Sequence, residues 1–187
     1  VRAALNKSNP GEDFSVVQVA RYAIRMSLAR AYYIAVLREV AGVIEHRDTD
    51  VEETRIEQKE GEIFYRIIES LVARGNPAGS LTIKAQLTGN PSKIVADEIV
   101  SELGKGFIAR VVGEMNGQAS AITEGNRAHA MAEAAGAKYL ARILLPDLEL
   151  RLGSGERSNL ENELENLLTA SSELSAPKSG QARAAVS

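Results

Sequence analysis

Residues 14–45 read FSVVQVARYAIRMSLARAYYIAVLREVAGVIE, and this stretch decides the fold class. From Val16 to Ile44, 21 of the 29 positions are Ala, Val, Ile, Leu, Met or Tyr, which is too long a run for a strand. Arginines at positions 21, 25, 30 and 38 interrupt it, so it lacks the roughly 20 mostly apolar residues of a membrane span. The pattern predicts one long helix that is apolar, and therefore buried, on several sides.

Small side chains follow one stripe of this helix, where they would let another helix backbone come close. They are Ala20, Ser27, Ala31, Ala35 and Gly42. Because the helix has more apolar surface than one neighbouring helix can cover, we expect an interface with another chain at Ala20, Ala31 and Ala35.

A second helix is predicted over 50–74, where a capping box begins at Thr49 and Gly75 supplies the stop. Its first half, 52–62, is almost wholly charged or polar, so we expect it in solvent or against a partner's charges. Its second half, 63–72, is apolar on one face, which we expect to pack on the first helix. The two helices would form a hairpin.

The middle of the chain carries strand signals. Residues 81–88 read LTIKAQLT, a strict alternation of apolar and polar residues that predicts a strand. Leucines alternate with charged residues over 148–152, which predicts another short strand. Asn116-Gly117 is typical of a two-residue hairpin turn, although 107–123 stays open between a hairpin and a helix.

Together these signals predict an α+β fold, mostly helical, with a small antiparallel sheet and helices packed on it. A short amphipathic helix follows, and its apolar face is a second expected interface, formed by Leu160, Leu164, Leu167 and Leu168. The expected organisation is a flexible arm over 1–12, a helical hairpin over 13–75, an α+β domain over 80–153, the C-terminal helix over 157–170 and a disordered tail over 171–187.

Composition excludes several classes of function. The chain has 22 basic and 25 acidic residues, so it is not a strongly basic nucleic-acid module. It contains no cysteine and two histidines, which excludes disulfides, thiolate metal sites and a three-histidine metal centre. We expect no cofactor. Val1–Asn9 shows no signal peptide, so we expect a cytoplasmic or virion protein.

Two groups of residues suggest other functions. Ser92 and Lys93 follow a predicted strand at the start of a helix, where backbone N–H groups can bind an anion. Lys105 lies between two glycines, a sequence that can approach a phosphodiester, and Arg110 could add a charge. His129 and Glu133 are four residues apart on one helix face, so they could form an acid–base pair.

The leading hypothesis is a non-catalytic structural or assembly subunit that binds its own copies and other protein subunits, for example in a virion or a secretion machine. The alternative is an anion- or nucleic-acid-binding accessory module that uses Ser92, Lys93 and Lys105. The third is a small enzyme built around His129 and Glu133.

Overall fold

The computed structural model describes residues 14–152 and 154–173, and 92% of them are helical. The predicted arm over 1–12 lies outside this part of the chain, as does the predicted tail beyond Glu173. A short 3-10 helix, Pro91–Lys93, precedes the fourth α-helix. The six α-helices are α1 (Phe14–His46), α2 (Val51–Gly75), α3 (Pro77–Thr88), α4 (Ala96–Thr123), α5 (Arg127–Leu152) and α6 (Ser154–Glu173).

The chain divides into two compact units. The central unit is Leu28–Ala109, and the terminal unit combines Val1–Ser27 with Arg110–Ser187. Helices α1 and α4 each contribute residues to both units. The boundary between the units falls after Ser27 in α1 and before Arg110 in α4.

The core of the central unit draws on all four of its helices. Tyr33 of α1 meets Phe107 of α4 edge to face, with ring centroids 5.8 Å apart. The hydroxyl of Tyr65 on α2 donates to Ser80 Oγ on α3 at 2.7 Å. Between them lie buried aliphatic side chains, including Val36, Val40, Ile68, Val72, Ile83, Leu87, Ile99 and Leu103.

The helices α1 and α2 form an antiparallel hairpin within the central unit. His46 Nδ1 lies 3.1 Å from both carboxylate oxygens of Glu57, next to the turn, and Tyr32 meets Phe64 farther away, with ring centroids 6.0 Å apart. The N-cap of α2 is Asp50, whose carboxylate accepts from the backbone N–H groups of residues 52 and 53. The predicted cap, Thr49, instead donates its hydroxyl to the His46 carbonyl.

In the terminal unit, the alanine-rich helix α5 packs along α6. Lys138 of α5 forms an ion pair with Glu165 of α6, and Gln118 of α4 donates to Ser171 Oγ of α6 at 3.0 Å. The buried residues of α5 are mostly small, including Ala130, Ala134, Ala135, Ala137 and Ala141, so neighbouring helices can approach it closely.

The prediction of an α+β fold is wrong, because the described residues contain no strand. The expected strand over 81–88 is most of α3. Asn76 caps this helix by accepting from the backbone N–H of Gly79, and Pro77 occupies its first turn, where a proline fits a helix. Ile83 and Leu87 point inward because they are four residues apart, and this spacing satisfies a helical period as well as an alternation.

The strand prediction over 148–152 is also wrong, and the segment 107–123, which the sequence left open, is a helix. Asn116 and Gly117 lie inside α4, so 107–123 is helical and not a hairpin. A β-carbon at position 117 would lie 2.6 Å from Glu133 Oε2 of α5, so this glycine leaves room for the carboxylate of Glu133. The expected strand over 148–152 forms the last turns of α5, because five alternating residues are too few to distinguish a strand from a helix end.

Candidate interaction surface

Helix α2 carries apolar residues on two opposite faces. Its inward face buries Tyr65, Ile68 and Val72 almost completely. Its outward face carries Ile56, Ile63 and Ile67, which are 45%, 46% and 48% exposed. We call these three residues the isoleucine stripe.

The geometry of the helix aligns the stripe. At about 100° per residue, Ile56, Ile63 and Ile67 point within about 40° of one another, on the side opposite the buried residues. The inward face of α2 is fixed by the hydrogen bond of Tyr65 to Ser80 and by the ring contact of Phe64 with α1. These contacts fix the orientation of α2 and therefore the direction in which the stripe faces.

Charged residues at the two ends of the stripe have opposite signs. Glu52 and Glu60 lie on its N-terminal half, whereas Arg74 lies at its C-terminal end, and all three side chains are exposed. Among residues 14–152 and 154–173, no ion pair involves any of these three. Their charges are therefore available for a partner.

The positive charge beside the stripe is partly neutralised within α2. Glu62 is buried, and its carboxylate accepts from Lys59 Nζ at 2.8 Å and pairs with Arg66 one turn later. The hydrogen bond from Lys59 lowers the pKa of Glu62, and the charge of Arg66 adds to this effect, whereas partial burial opposes it. The two cations beside the stripe therefore share one carboxylate.

Glu60 of α2 also affects the pKa of a cation on α1, Arg38. Arg38 donates from Nε to Glu39 at 2.9 Å, and this hydrogen bond is the main reason that the pKa of Arg38 is raised. Glu60 adds a smaller effect of the same sign. The Arg38 side chain is 73% exposed, so solvent screens its attraction to Glu60.

Helix α1 leaves part of its apolar surface uncovered. Within the central unit, Leu28 and Ile34 are 55% and 48% exposed, Ala31 is exposed and Ala35 is half-buried. Within the terminal unit, Ala20 is half-buried. The interface predicted at these three alanines stays a prediction. The alanine side chains present little apolar area by themselves.

The leucines of the predicted C-terminal interface lie mostly inside the terminal unit. Leu160, Leu164 and Leu167 are buried, and Leu168 is half-buried. The helix that carries them packs along α5, so the chain itself covers their apolar surface. They are therefore not part of the candidate surface.

Ser92 and Lys93 lie in the 3-10 helix and the loop around it. The Ser92 backbone N–H donates to Asn90 Oδ1 at 3.0 Å, and its hydroxyl donates to the same oxygen at 2.9 Å. Lys93 lines an open groove of about 430 Å³, and Glu98 lines the same groove. The donors of Ser92 thus have a partner within the loop, and the groove that Lys93 lines also contains a carboxylate.

The other two cations of the anion-binding hypothesis already have carboxylate partners. The glycines on both sides of Lys105 do not interrupt α4, so Lys105 lies inside this helix and not in a glycine turn. Lys105 pairs with Glu102, and its hydrogen bond is the main reason that the pKa of Glu102 is lowered. In the terminal unit, Arg110 pairs with Glu114.

His129 and Glu133 lie together on α5 in the terminal unit. His129 Nε2 is 3.0 Å from Glu133 Oε1, and the imidazole is 49% exposed. Burial, followed by the charges of Glu114 and Glu133, raises the pKa of Tyr22 in the same unit. Within the described ranges, no group of three or more His, Asp or Glu residues could hold a metal ion. The pair supplies acid–base groups, but catalysis there stays a prediction.

The spacing of the isoleucines in the sequence already indicates the stripe, which the expected contact of 63–72 with α1 does not include. Ile56, Ile63 and Ile67 follow one another at intervals of seven and four residues, which places them on one helix face. We expected the apolar residues of 63–72 to face α1, but Ile63 and Ile67 point the other way.

Comparisons add no relative from which a function could be transferred. The chain matches no protein-family model, no curated protein and no solved structure. Among the helices of residues 14–152 and 154–173, none is both long and apolar enough to cross a membrane. No finding points to a virion or a secretion machine, and the localisation stays a prediction.

Proposed function

We propose that this protein is a non-catalytic assembly subunit that acts by binding other protein chains, its own copies first. The isoleucine stripe carries the proposal. Single exposed apolar residues are common on monomers, but three β-branched side chains aligned on one helix face concentrate apolar surface there. Charges of both signs flank it, as is usual for the polar rim of a protein interface.

The stripe supplies a measurable part of the binding free energy. Full burial of an isoleucine is worth about 1.5–3 kcal/mol, so covering the exposed half of one stripe residue is worth about 1 kcal/mol. In a symmetric pair each substitution occurs twice, so replacing one isoleucine by serine removes about 2 kcal/mol, which weakens association about 30-fold.

Light scattering coupled to size-exclusion chromatography at increasing protein concentration tests the proposal. We expect an oligomer that Ile63→Ser dissociates. Leu81→Ser is the matched control, because Leu81 is 68% exposed in the same unit but lies on α3. A wild-type chain that stays monomeric at high micromolar concentration and captures no protein partner would contradict the proposal.

A further inference from the structure

We infer that two copies of this chain pair their α2 helices antiparallel, across a two-fold axis level with residue 65. The inference rests on the proposed function and names the partner and geometry of that surface. It follows from the spacing of the residues on the outward face of α2 and from the order of the charges along it.

The outward face of α2 has the spacing of a coiled-coil seam. Successive positions on it are four, three, four, three and four residues apart, which is the alternation of a heptad repeat. These positions are Ile56, Glu60, Ile63, Ile67, Ser70 and Arg74. One such seam can therefore pack against another over about five helical turns.

The antiparallel alignment follows from the distribution of the isoleucines. With the axis level with residue 65, Ile63 of each copy faces Ile67 of the other, which gives two apolar layers at the centre. The next layer outward on each side pairs Glu60 with Ser70 of the second copy. This arrangement is isologous, because the same patch serves both copies.

The charges select the antiparallel direction over the parallel one. In the antiparallel pair, Arg74 of one copy lies level with Ile56 of the other, about 6 Å along the axis from both Glu52 and Glu60 of that copy. An arginine side chain spans this offset. In a parallel pair, Glu60 would face Glu60 and Arg74 would face Arg74, so like charges would repel.

The flanking cations oppose this pairing only weakly. Lys59 and Arg66 lie along one edge of the seam, where the two-fold axis brings the same edges of both copies together. The carboxylate of Glu62 forms ion pairs with both side chains within the same helix, and its distance to Lys59 Nζ is 2.8 Å. Two cations and one carboxylate leave a net charge of one on this edge of each copy, instead of two.

Disulfide trapping tests the direction directly, because the chain contains no cysteine. We would prepare Glu60→Cys and Ser70→Cys separately, oxidise each alone and as a mixture, and read the products on non-reducing gels. In the antiparallel pair, position 60 faces position 70, whereas two copies of position 60 are about 15 Å apart along the axis. A disulfide requires Cα atoms within about 7 Å. We expect a cross-linked dimer from the mixture and none from either variant alone.

A charge-reversal pair gives an independent readout on an otherwise intact seam. Arg74→Glu alone and Glu52→Lys/Glu60→Lys alone should each dissociate the dimer, and mixing the two should restore it as a one-to-one heterodimer. Circular dichroism of each variant checks that the fold is retained, since all the altered side chains are exposed.

The outcomes separate this inference from the proposed function. Cross-linking of each cysteine variant with itself would indicate a parallel pair and overturn the inference. If the wild type is an oligomer but no cross-link forms and neither charge reversal changes its association, the inference is overturned. The proposed assembly function would still hold. A monomer that captures a different protein would also overturn the inference alone, whereas a monomer with no partner would overturn both.

Discussion

Two glycines, two residues apart on α4, test how closely α2 and α4 approach within the central unit. A β-carbon at Gly106 would lie 2.8 Å from Val72 Cγ1 and 3.0 Å from the Val72 carbonyl oxygen. A β-carbon at Gly104 would meet no atom within 4 Å. We therefore expect Gly104→Ala and Gly106→Ala to have opposite effects on stability.

The magnitudes follow from helix propensity and packing. Alanine is favoured over glycine in a helix interior by about 1 kcal/mol, so Gly104→Ala should raise the free energy of unfolding by about this amount. Gly106→Ala gains the same propensity but forces a methyl group against the α2 backbone, and such overpacking costs about 1–3 kcal/mol. Since a backbone carbonyl cannot rotate away as a side-chain end can, we expect a cost of about 2–3 kcal/mol and a net loss of about 1–2 kcal/mol.

Urea unfolding followed by far-ultraviolet circular dichroism measures both variants against the wild type. The two should differ by about 2–3 kcal/mol in the free energy of unfolding. If Gly106→Ala stabilises the protein as much as Gly104→Ala does, α2 and α4 do not meet at Val72 and this description of the core is wrong.

Three further predictions concern the central unit. Asp50→Ala should lower the free energy of unfolding by about 1 kcal/mol in thermal unfolding, because the carboxylate caps the N-terminus of α2. Hydrogen bonding to Glu57 raises the pKa of His46. The stabilisation from this pair is therefore full below the pKa of the unfolded chain, 6.5, and is lost as the pH rises through the pKa of the folded protein. In urea titrations, the stability difference between wild type and His46→Gln should shrink from slightly acid to alkaline pH. Tyr65→Phe should cost about 1–2 kcal/mol in urea unfolding, because it leaves the hydroxyl of buried Ser80 without its donor.

Each of these has a control of its own. Thr49→Ala removes a hydroxyl beside the cap without removing the cap, so an effect equal to that of Asp50→Ala would contradict the capping role. Glu57→Gln should flatten the pH dependence attributed to His46, and a dependence that persists would assign it to other groups. Burial raises the pKa of Tyr65 to about 12, so its absorbance should titrate above the ordinary tyrosine value of 10.0. Ionisation of Tyr65 at the ordinary value would show that the phenol is not buried.

The start of α3 could have been predicted from its residues, whereas its full pattern could not. Asn76 and Pro77 are good N-cap and first-turn residues, but their place after Gly75 also fits a linker. Eight alternating residues fit both periods when their two buried members, Ile83 and Leu87, are four positions apart. Packing against α2 selects the helix, and that contact is not visible in the local sequence.

The role of Gly117 depends even more on the tertiary structure. Asn-Gly is a strong local hairpin signal, because it suits backbone conformations with positive φ. In this chain the glycine occupies a helix, where it costs about 1 kcal/mol relative to alanine and admits the side chain of Glu133 from α5. Gly136 of α5 likewise admits Glu114 of α4. Only the pairing of the two helices in the terminal unit identifies this function.

The local sequence also does not identify the inward face of α2, because both of its apolar faces have helical spacing. The sequence does not show which face turns inward; the contacts of Tyr65 with α3 and of Phe64 with α1 do. The outward isoleucines then need a reason of their own. Isoleucine is a poorer helix former than leucine, lysine or glutamate, so on a solvent-facing surface Ile56, Ile63 and Ile67 stabilise neither the isolated helix nor the core. The proposed pairing of two α2 helices would supply one, since covering the stripe removes apolar surface from water.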